Sequence, residues 1–75
     1  MLQDVRKQRD LSQSQLAEKS SHNLRMIQHY EQGFKNIDGA KLDTLCDLAI
    51  ALDCKLWDIL TDDNLKEKVK KATTR

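Results

Sequence analysis

Apolar residues recur along the chain at the three- and four-residue spacing of α-helices, and no useful length of sequence alternates apolar with polar. The chain contains no proline and only two glycines. The pattern therefore predicts an all-α fold with five helices, and a narrower pattern near the carboxyl end allows a sixth.

Local start signals define the first two helices. The first is expected from Leu2 to about Arg9. Ser12 is a suitable N-cap for the second, and Gln15 three residues later completes a capping box. This second helix is expected to run to about Lys19.

The third and fourth helices follow from caps and an apolar stripe. Asn23 is expected to cap the third helix, and Gly33 offers the left-handed position that ends it. After a loop over residues 34–37, Asp38 is expected to cap the fourth helix, with Ile37 packing on the first residue of its stripe. That stripe consists of Leu42, Leu45, Leu48, Ala49 and Leu52.

The remaining sequence is short and becomes basic. A brief fifth helix is expected to hold Leu56, Trp57, Ile59 and Leu60. Asn64 and Glu67 suit a capping box for a sixth helix whose narrow stripe is Leu65, Val69 and Ala72. We therefore expect one domain over residues 1–62, followed over residues 63–75 by a basic tail or a short helix.

The third helix has two unlike faces. At 100° per residue, its polar side chains share one face, with spacings i, i+3, i+4 and i+7. These are Arg25, Gln28, His29 and Gln32. The opposite face carries Met26, Ile27 and Tyr30 and is typical of a core contact. The polar face is a candidate binding surface.

Charge is unevenly distributed along the 75 residues. The net charge of +1 does not by itself predict a nucleic-acid partner. Residues 1–35 carry a balance of +2, residues 36–65 of −5 and residues 66–75 of +4. A basic front, an acidic middle and a basic tail make the molecule polar and not uniformly charged.

Two segments give the chain a family resemblance. The stretches LSQSQLAEKS, residues 11–20, and IQHYEQG, residues 27–33, closely resemble the Xre family, which includes the phage repressor and Cro proteins. The stretch ALDCKLWDIL, residues 51–60, is similar to that family's last two helices. The resemblance implies a compact, lambda-repressor-like domain of five helices, with a helix-turn-helix from Gln13 to Gln32.

The resemblance also implies roles for individual residues. The third helix would be the recognition helix, lying in the major groove. The positions that match groove-facing or base-contacting ones are Asn23, Leu24, Arg25, Gln28 and His29. Phosphate contacts would come from Ser12, Gln13, Gln32 and Lys35. Arg6 and Glu31 match a buried ion pair that ties the first helix to the third.

Two positions depart from the family pattern. Ser21 lies where the family usually has glycine in a left-handed turn, and His22 lies where it usually has an apolar residue. Either the turn is distorted or His22 is half-exposed.

These features favour sequence-specific binding of double-stranded DNA by a small bacterial or phage transcriptional regulator. It would act as a repressor by occupying an operator as a homodimer, and one variant is an antitoxin-type autorepressor with a protein partner. The alternative is a protein-interaction module on the same fold that does not bind DNA. The low net charge and the acidic residues 36–65 favour that alternative slightly.

Other classes of function receive little support. The spacings of His22, His29, Cys46 and Cys54 match no zinc-ligand pair, so no metal or cofactor is expected. The serines are helix caps and turn residues, and the sequence contains no nucleophile elbow, so we do not expect an enzyme. Apolar runs are short and no signal peptide is visible, so we expect a cytoplasmic protein that does not span a membrane.

Overall fold

The computed structural model describes residues 1–73, and within them it contains five α-helices, two 3-10 turns and no β-strand. The helices are α1 (Leu2–Gln8), α2 (Gln13–Ser20), α3 (Leu24–Gln32), α4 (Leu42–Leu52) and α5 (Asp63–Thr73). The 3-10 turns are Ile37–Gly39 and Leu56–Ile59. The all-α prediction is confirmed. The last two residues of the predicted basic tail, Thr74 and Arg75, lie outside the described residues.

The core lies where α2 packs against both α3 and α4. Six large side chains are fully buried there: Leu16, Ile27, Leu48, Leu52, Ile59 and Leu60. They come from α2, α3, α4 and the second 3-10 turn with the residue after it, so each apolar stripe meets the same centre. This packing holds α2 and α3 together as a rigid pair.

Each of the first four helices ends in the same backbone motif. One residue takes a left-handed φ, and the next amide donates to the carbonyl five residues before it, as in a Schellman motif. The left-handed residues are Asp10, Ser21, Gly33 and Asp53. At the end of α2 the amide of His22 lies 2.9 Å from the Ala17 carbonyl oxygen. Only one of these four positions is glycine.

Asp38 does not cap α4, so that prediction is wrong. Residues Ile37–Gly39 form a 3-10 turn that Asn36 caps, and Lys41 precedes α4 without a side-chain cap. The Asp38 carboxylate accepts hydrogen bonds from the Thr61 hydroxyl, the Thr61 amide at 2.8 Å and the Asp62 amide at 3.0 Å. It therefore ties this turn to the start of α5.

The ionisation of Asp38 reflects these contacts. Partial burial disfavours the charged carboxylate, but the hydrogen bonds from Thr61 and Asp62, with the positive charge of Lys66, outweigh it. They hold the pKa of Asp38 below its ordinary value.

Leu42 also departs from its predicted place. Its side chain is 65% exposed, whereas that of Ile37 is buried, so Leu42 does not belong to the buried stripe of α4. Because the intervening turn delays the start of α4 until Leu42 itself, this side chain lies at the free end of the helix. The other four residues of the predicted stripe are all buried.

The carboxyl-terminal elements differ in type from the prediction. Leu56–Ile59 is a 3-10 turn and not a short α-helix, because only four residues separate its cap, Lys55, from the extended Leu60. The additional helix forms as α5, but Asp62 caps it in place of Asn64, accepting from the Asn64 amide at 2.8 Å. Leu65 and Val69 pack against the core, so α5 is attached through its apolar stripe.

Candidate nucleic-acid interface

Paired side-chain and backbone bonds fix the amino end of α2. The Ser12 hydroxyl accepts from the Gln15 amide at 3.0 Å, and the Gln15 side-chain oxygen accepts from the Ser12 amide at 2.8 Å. The predicted capping box is therefore present. The Ser12 hydroxyl keeps its own hydrogen available for a ligand, because it acts only as the acceptor here.

The turn between α2 and α3 contains both residues that depart from the family pattern, Ser21 and His22. Ser21 is left-handed, with φ 61° and ψ 33°, so a side chain occupies the conformation that favours glycine. The imidazole of His22 is half-buried, and its Nε2 lies 3.0 Å from a carboxylate oxygen of Asp47 on α4. The turn keeps its left-handed geometry, and His22 replaces an apolar contact with a polar one.

The side chains predicted to contact bases lie on the outer side of α3. Arg25 is exposed, Gln28 and His29 are half-exposed, and Leu24 is partly exposed at the first helical residue. Asn23 is exposed, and its Oδ1 accepts from the Met26 amide at 2.8 Å, which caps α3. Its NH₂ group remains available for a ligand.

Two of the predicted phosphate-contacting residues, Gln32 and Lys35, are exposed at the end of α3 and just after it. A shallow groove is lined by Asn23, Arg25, Met26, His29 and Lys35. The structure thus brings Lys35 together with three of the predicted base-contacting residues. Ser12 and Gln13 lie apart from this groove, at the amino end of α2.

Arg6 and Glu31 are in contact, and they join α1 to α3. The guanidinium donates from Nε to one carboxylate oxygen at 2.6 Å and from Nη2 to the other at 3.0 Å. The Glu31 side chain is only 1% exposed, so both of its oxygens need donors. The hydrogen bonds to Glu31 raise the pKa of the Arg6 guanidinium.

Gln13 takes part in the same network. Its Nε2 donates to Glu31 at 3.0 Å, so α1, α2 and α3 meet at one carboxylate. The second hydrogen on Nε2 remains free to donate outward. Sequence reasoning gave Gln13 only a role toward DNA and missed this contact, although a buried carboxylate with four lone-pair sites requires more donors than one arginine supplies.

The outer face of α3 carries no exposed carboxylate. Glu31 is the only acidic residue in the helix, and it is buried and paired. The charged side chains left at this surface are those of Arg25 and Lys35, which are positive. The local charge is therefore suited to an anionic partner despite the acidic middle of the chain.

A family model described as Helix-turn-helix matches residues 2–56, more than half of the chain. The chain belongs to the Xre-like helix-turn-helix family. Domains of this family bind DNA and regulate transcription, so this Xre-like domain is a DNA-binding regulator. No curated protein and no solved structure matches the chain. Within residues 1–73 no helix of the Xre-like domain is long and apolar enough to cross a bilayer.

No role was predicted from sequence for Phe34, which lies in the expected loop over residues 34–37. Its side chain is 76% exposed, and its ring contacts that of His29 at a centroid distance of 5.9 Å. The signal available in the sequence was that the one phenylalanine of this Xre-like domain directly follows Gly33, the glycine that ends α3.

Proposed function

We propose that this protein is a sequence-specific transcriptional repressor that acts by occupying its operator, with α3 in the major groove. The observation that carries the proposal is the contrast in hydrogen bonding on α3. Within residues 1–73 the side chains of Arg25, Gln28 and Gln32 make no hydrogen bond to the protein, whereas every buried side-chain polar atom has a partner. The outer face is therefore free to bind base edges.

The chemistry of the exposed face suits direct readout. An arginine fork such as that of Arg25 can bind guanine O6 and N7, and the amide of Gln28 can bind adenine N6 and N7. The imidazole of His29 can donate or accept, and the free NH₂ of Asn23 can donate to a base acceptor. Leu24 can contact a thymine methyl group.

Phosphate contacts would set the register of the domain on the duplex. The amino end of α2 has unpaired amides and a positive dipole end, and Ser12 and Gln13 each keep one donor hydrogen there. Gln32 and Lys35 supply donors at the other end of α3. The two groups would bind the backbone on opposite sides of the groove that α3 enters.

A single domain of this size makes few base contacts, so we propose that it binds as a homodimer. Two half-sites about 34 Å apart, one turn of the double helix, would then contribute together. A variant that fits the same chain is an antitoxin that represses its own operon and binds a protein partner. As a bacterial or phage regulator it would act in the cytoplasm, where its DNA lies.

The test is fluorescence anisotropy of a labelled duplex pool, titrated with the protein at several salt concentrations and used to select the operator. We expect affinity to fall steeply as salt rises, because phosphate contacts release counterions. On the selected operator, Arg25→Ala should cost roughly 1–3 kcal/mol and relax the preference at one base position.

The matched control is Lys55→Ala, which removes one positive charge from an exposed residue far along the chain from α3. It should change affinity only slightly. If Arg25→Ala and His29→Ala both leave the affinity for every DNA unchanged, the outer face of α3 does not read DNA.

The second candidate function is a protein-interaction module on the same fold. It is favoured by Leu42 and Ile50, which are large apolar side chains exposed on one side of α4 and accompanied by the acidic residues Asp43 and Asp47. Absence of DNA binding at low salt would support this function. In that case Ile50→Ala, and not Arg25→Ala, should weaken capture of the partner.

A further inference from the structure

Phe34 is one of the two most exposed large apolar side chains within residues 1–73. It is 76% exposed, as much as Ile50, and it follows directly on Gly33 at the end of α3. A large ring in water is unfavourable for an isolated protein, because its apolar surface gains nothing there. A ligand that covered the ring would remove this apolar surface from water, which is favourable.

The backbone fixes where the Phe34 ring lies. Its amide donates to the His29 carbonyl oxygen at 2.9 Å, and the Lys35 amide donates to the same oxygen at 3.2 Å. The rings of Phe34 and His29 meet edge to face, with 89° between their planes. An apolar contact at this place in a Schellman motif usually buries its side chain, but here the partner is polar and only half-buried. The motif therefore accounts for the position of the ring and not for its exposure.

The ring lies beside the groove-facing residues. His29 and Lys35, its spatial and sequence neighbours, both line the shallow groove that also contains Arg25. Arg25 is near the amino end of α3 and Phe34 follows the carboxyl end, so the two side chains would meet different positions of one half-site. The most exposed apolar group beside this surface thus lies where a duplex would run.

We propose that Phe34 is a specificity-determining residue that packs against the C5-methyl group of a thymine at one end of the half-site. The methyl group is the only apolar mark that a base presents in the major groove, and phenylalanine is among the side chains that contact it. The inference rests on the proposed function, since it requires α3 to lie in the groove. It adds an apolar contact to a surface that otherwise carries polar donors and acceptors.

The test uses the selected operator with each thymine replaced in turn by uracil, which removes only the methyl group. The wild-type protein should lose roughly fourfold in affinity at one thymine, the value of one buried methyl group. Phe34→Ala should lose more on the thymine operator and should no longer distinguish uracil from thymine at that position. Phe34→Leu should retain part of the discrimination.

Lys55→Ala is again the control, because Lys55 is exposed and lies far along the chain from Phe34. It should distinguish thymine from uracil as the wild-type protein does. Thermal unfolding of Phe34→Ala should match the wild-type curve, since the ring is largely in water. If the variant instead loses stability to the same extent as it loses affinity, Phe34 supports the fold and does not contact a base, and the inference is overturned.

The failures of this inference and of the proposed function are distinguishable. If Arg25→Ala weakens binding while Phe34→Ala and every uracil substitution leave it unchanged, only the inference fails. If Phe34→Ala weakens binding equally on all sequences, the ring packs on deoxyribose and the thymine assignment is wrong. If the wild-type protein binds no DNA at low salt, both fail together.

Discussion

The two turns that bound α3 use the same backbone motif with different side chains. At the amino end, Ser21 places a β-carbon in the left-handed region, and His22 is bonded to Asp47 on α4. At the carboxyl end, Gly33 takes φ 83° without a side chain, and Phe34 extends into water.

The difference shows that one motif can serve to anchor a helix or to display a side chain. In both turns the residue after the left-handed position is fixed by its amide. The contact that its side chain then makes depends on the neighbouring element: His22 bonds to Asp47 on α4, whereas the Phe34 ring meets the His29 ring on α3 itself. The His22 side chain therefore helps to hold α3 to α4, whereas the Phe34 side chain remains largely in water.

The largest expected effect is on stability, from loss of the ion pair that holds α3 between these two turns. Arg6→Ala leaves the Glu31 carboxylate, 1% exposed, with Gln13 as its remaining side-chain donor. We expect a loss of about 3–5 kcal/mol in the free energy of unfolding, measured by urea denaturation. Lys7→Ala, at an exposed neighbour on α1, is the control and should cost little.

A second variant keeps this prediction testable if Arg6→Ala does not fold. Arg6→Ala combined with Glu31→Gln removes the buried charge and should recover part of the lost stability. Equal stability of Arg6→Ala and the wild-type protein would show that α3 does not depend on the buried pair.

A smaller effect is expected at the carboxyl turn. An alanine at Gly33 would meet no atom within 4 Å, so its cost comes only from the backbone. At φ 83° that residue lies beyond the small left-handed region that a side chain can adopt. After the loss of unfolded-state entropy is counted, Gly33→Ala should lower the free energy of unfolding by about 1 kcal/mol.

The chain offers a matched control for this substitution. A β-carbon added at Gly39 would also meet no atom within 4 Å, but the φ of Gly39 is not positive. Gly39→Ala should therefore be neutral or slightly stabilising in the same denaturation experiment. An equal loss at both glycines would mean that the left-handed conformation does not set the cost.

The smallest effect is expected at the amino turn, and its sign is opposite. Ser21 lies at φ 61°, inside the left-handed region, so glycine would relieve only a modest backbone strain. Glycine also increases the conformational entropy of the unfolded chain, which offsets part of that gain. Ser21→Gly should raise the melting temperature by about 2–4 °C. Ser21→Ala retains the β-carbon and should not raise it; if both variants melt alike, strain at Ser21 is not the cause.

Predictions from sequence succeeded for elements with local signals. The Ser12 capping box, the Asn23 cap and the stop at Gly33 each depend on residues a few positions apart, and the structure contains all three. Asp38 failed because its carboxylate binds Thr61 and Asp62, more than twenty residues away. Tertiary contacts thus took the predicted cap away from α4, which begins after Lys41 without a side-chain cap.

In the candidate site, too, local patterns were predicted from sequence and contacts between helices were not. Helical periodicity was sufficient to group Arg25, Gln28 and Gln32 on one exposed face. It could not predict that Gln13 would bond to Glu31, because that contact depends on the angle between α2 and α3. Nor could it predict the exposure of Phe34, since a loop sequence does not specify which neighbour will cover a side chain.

The four Schellman endings also bear on how quickly the domain reaches its native state. Each motif closes through an amide and a carbonyl five residues apart, so the stop of every helix from α1 to α4 is encoded within its own segment. Helical segments form within about a microsecond, well before distant parts of a chain meet. Helices this short are marginal on their own, so the local stops set where each helix ends and not whether it persists. The slower, non-local steps that make them persist are docking α2 on α4 and closing the contact between Arg6 and Glu31.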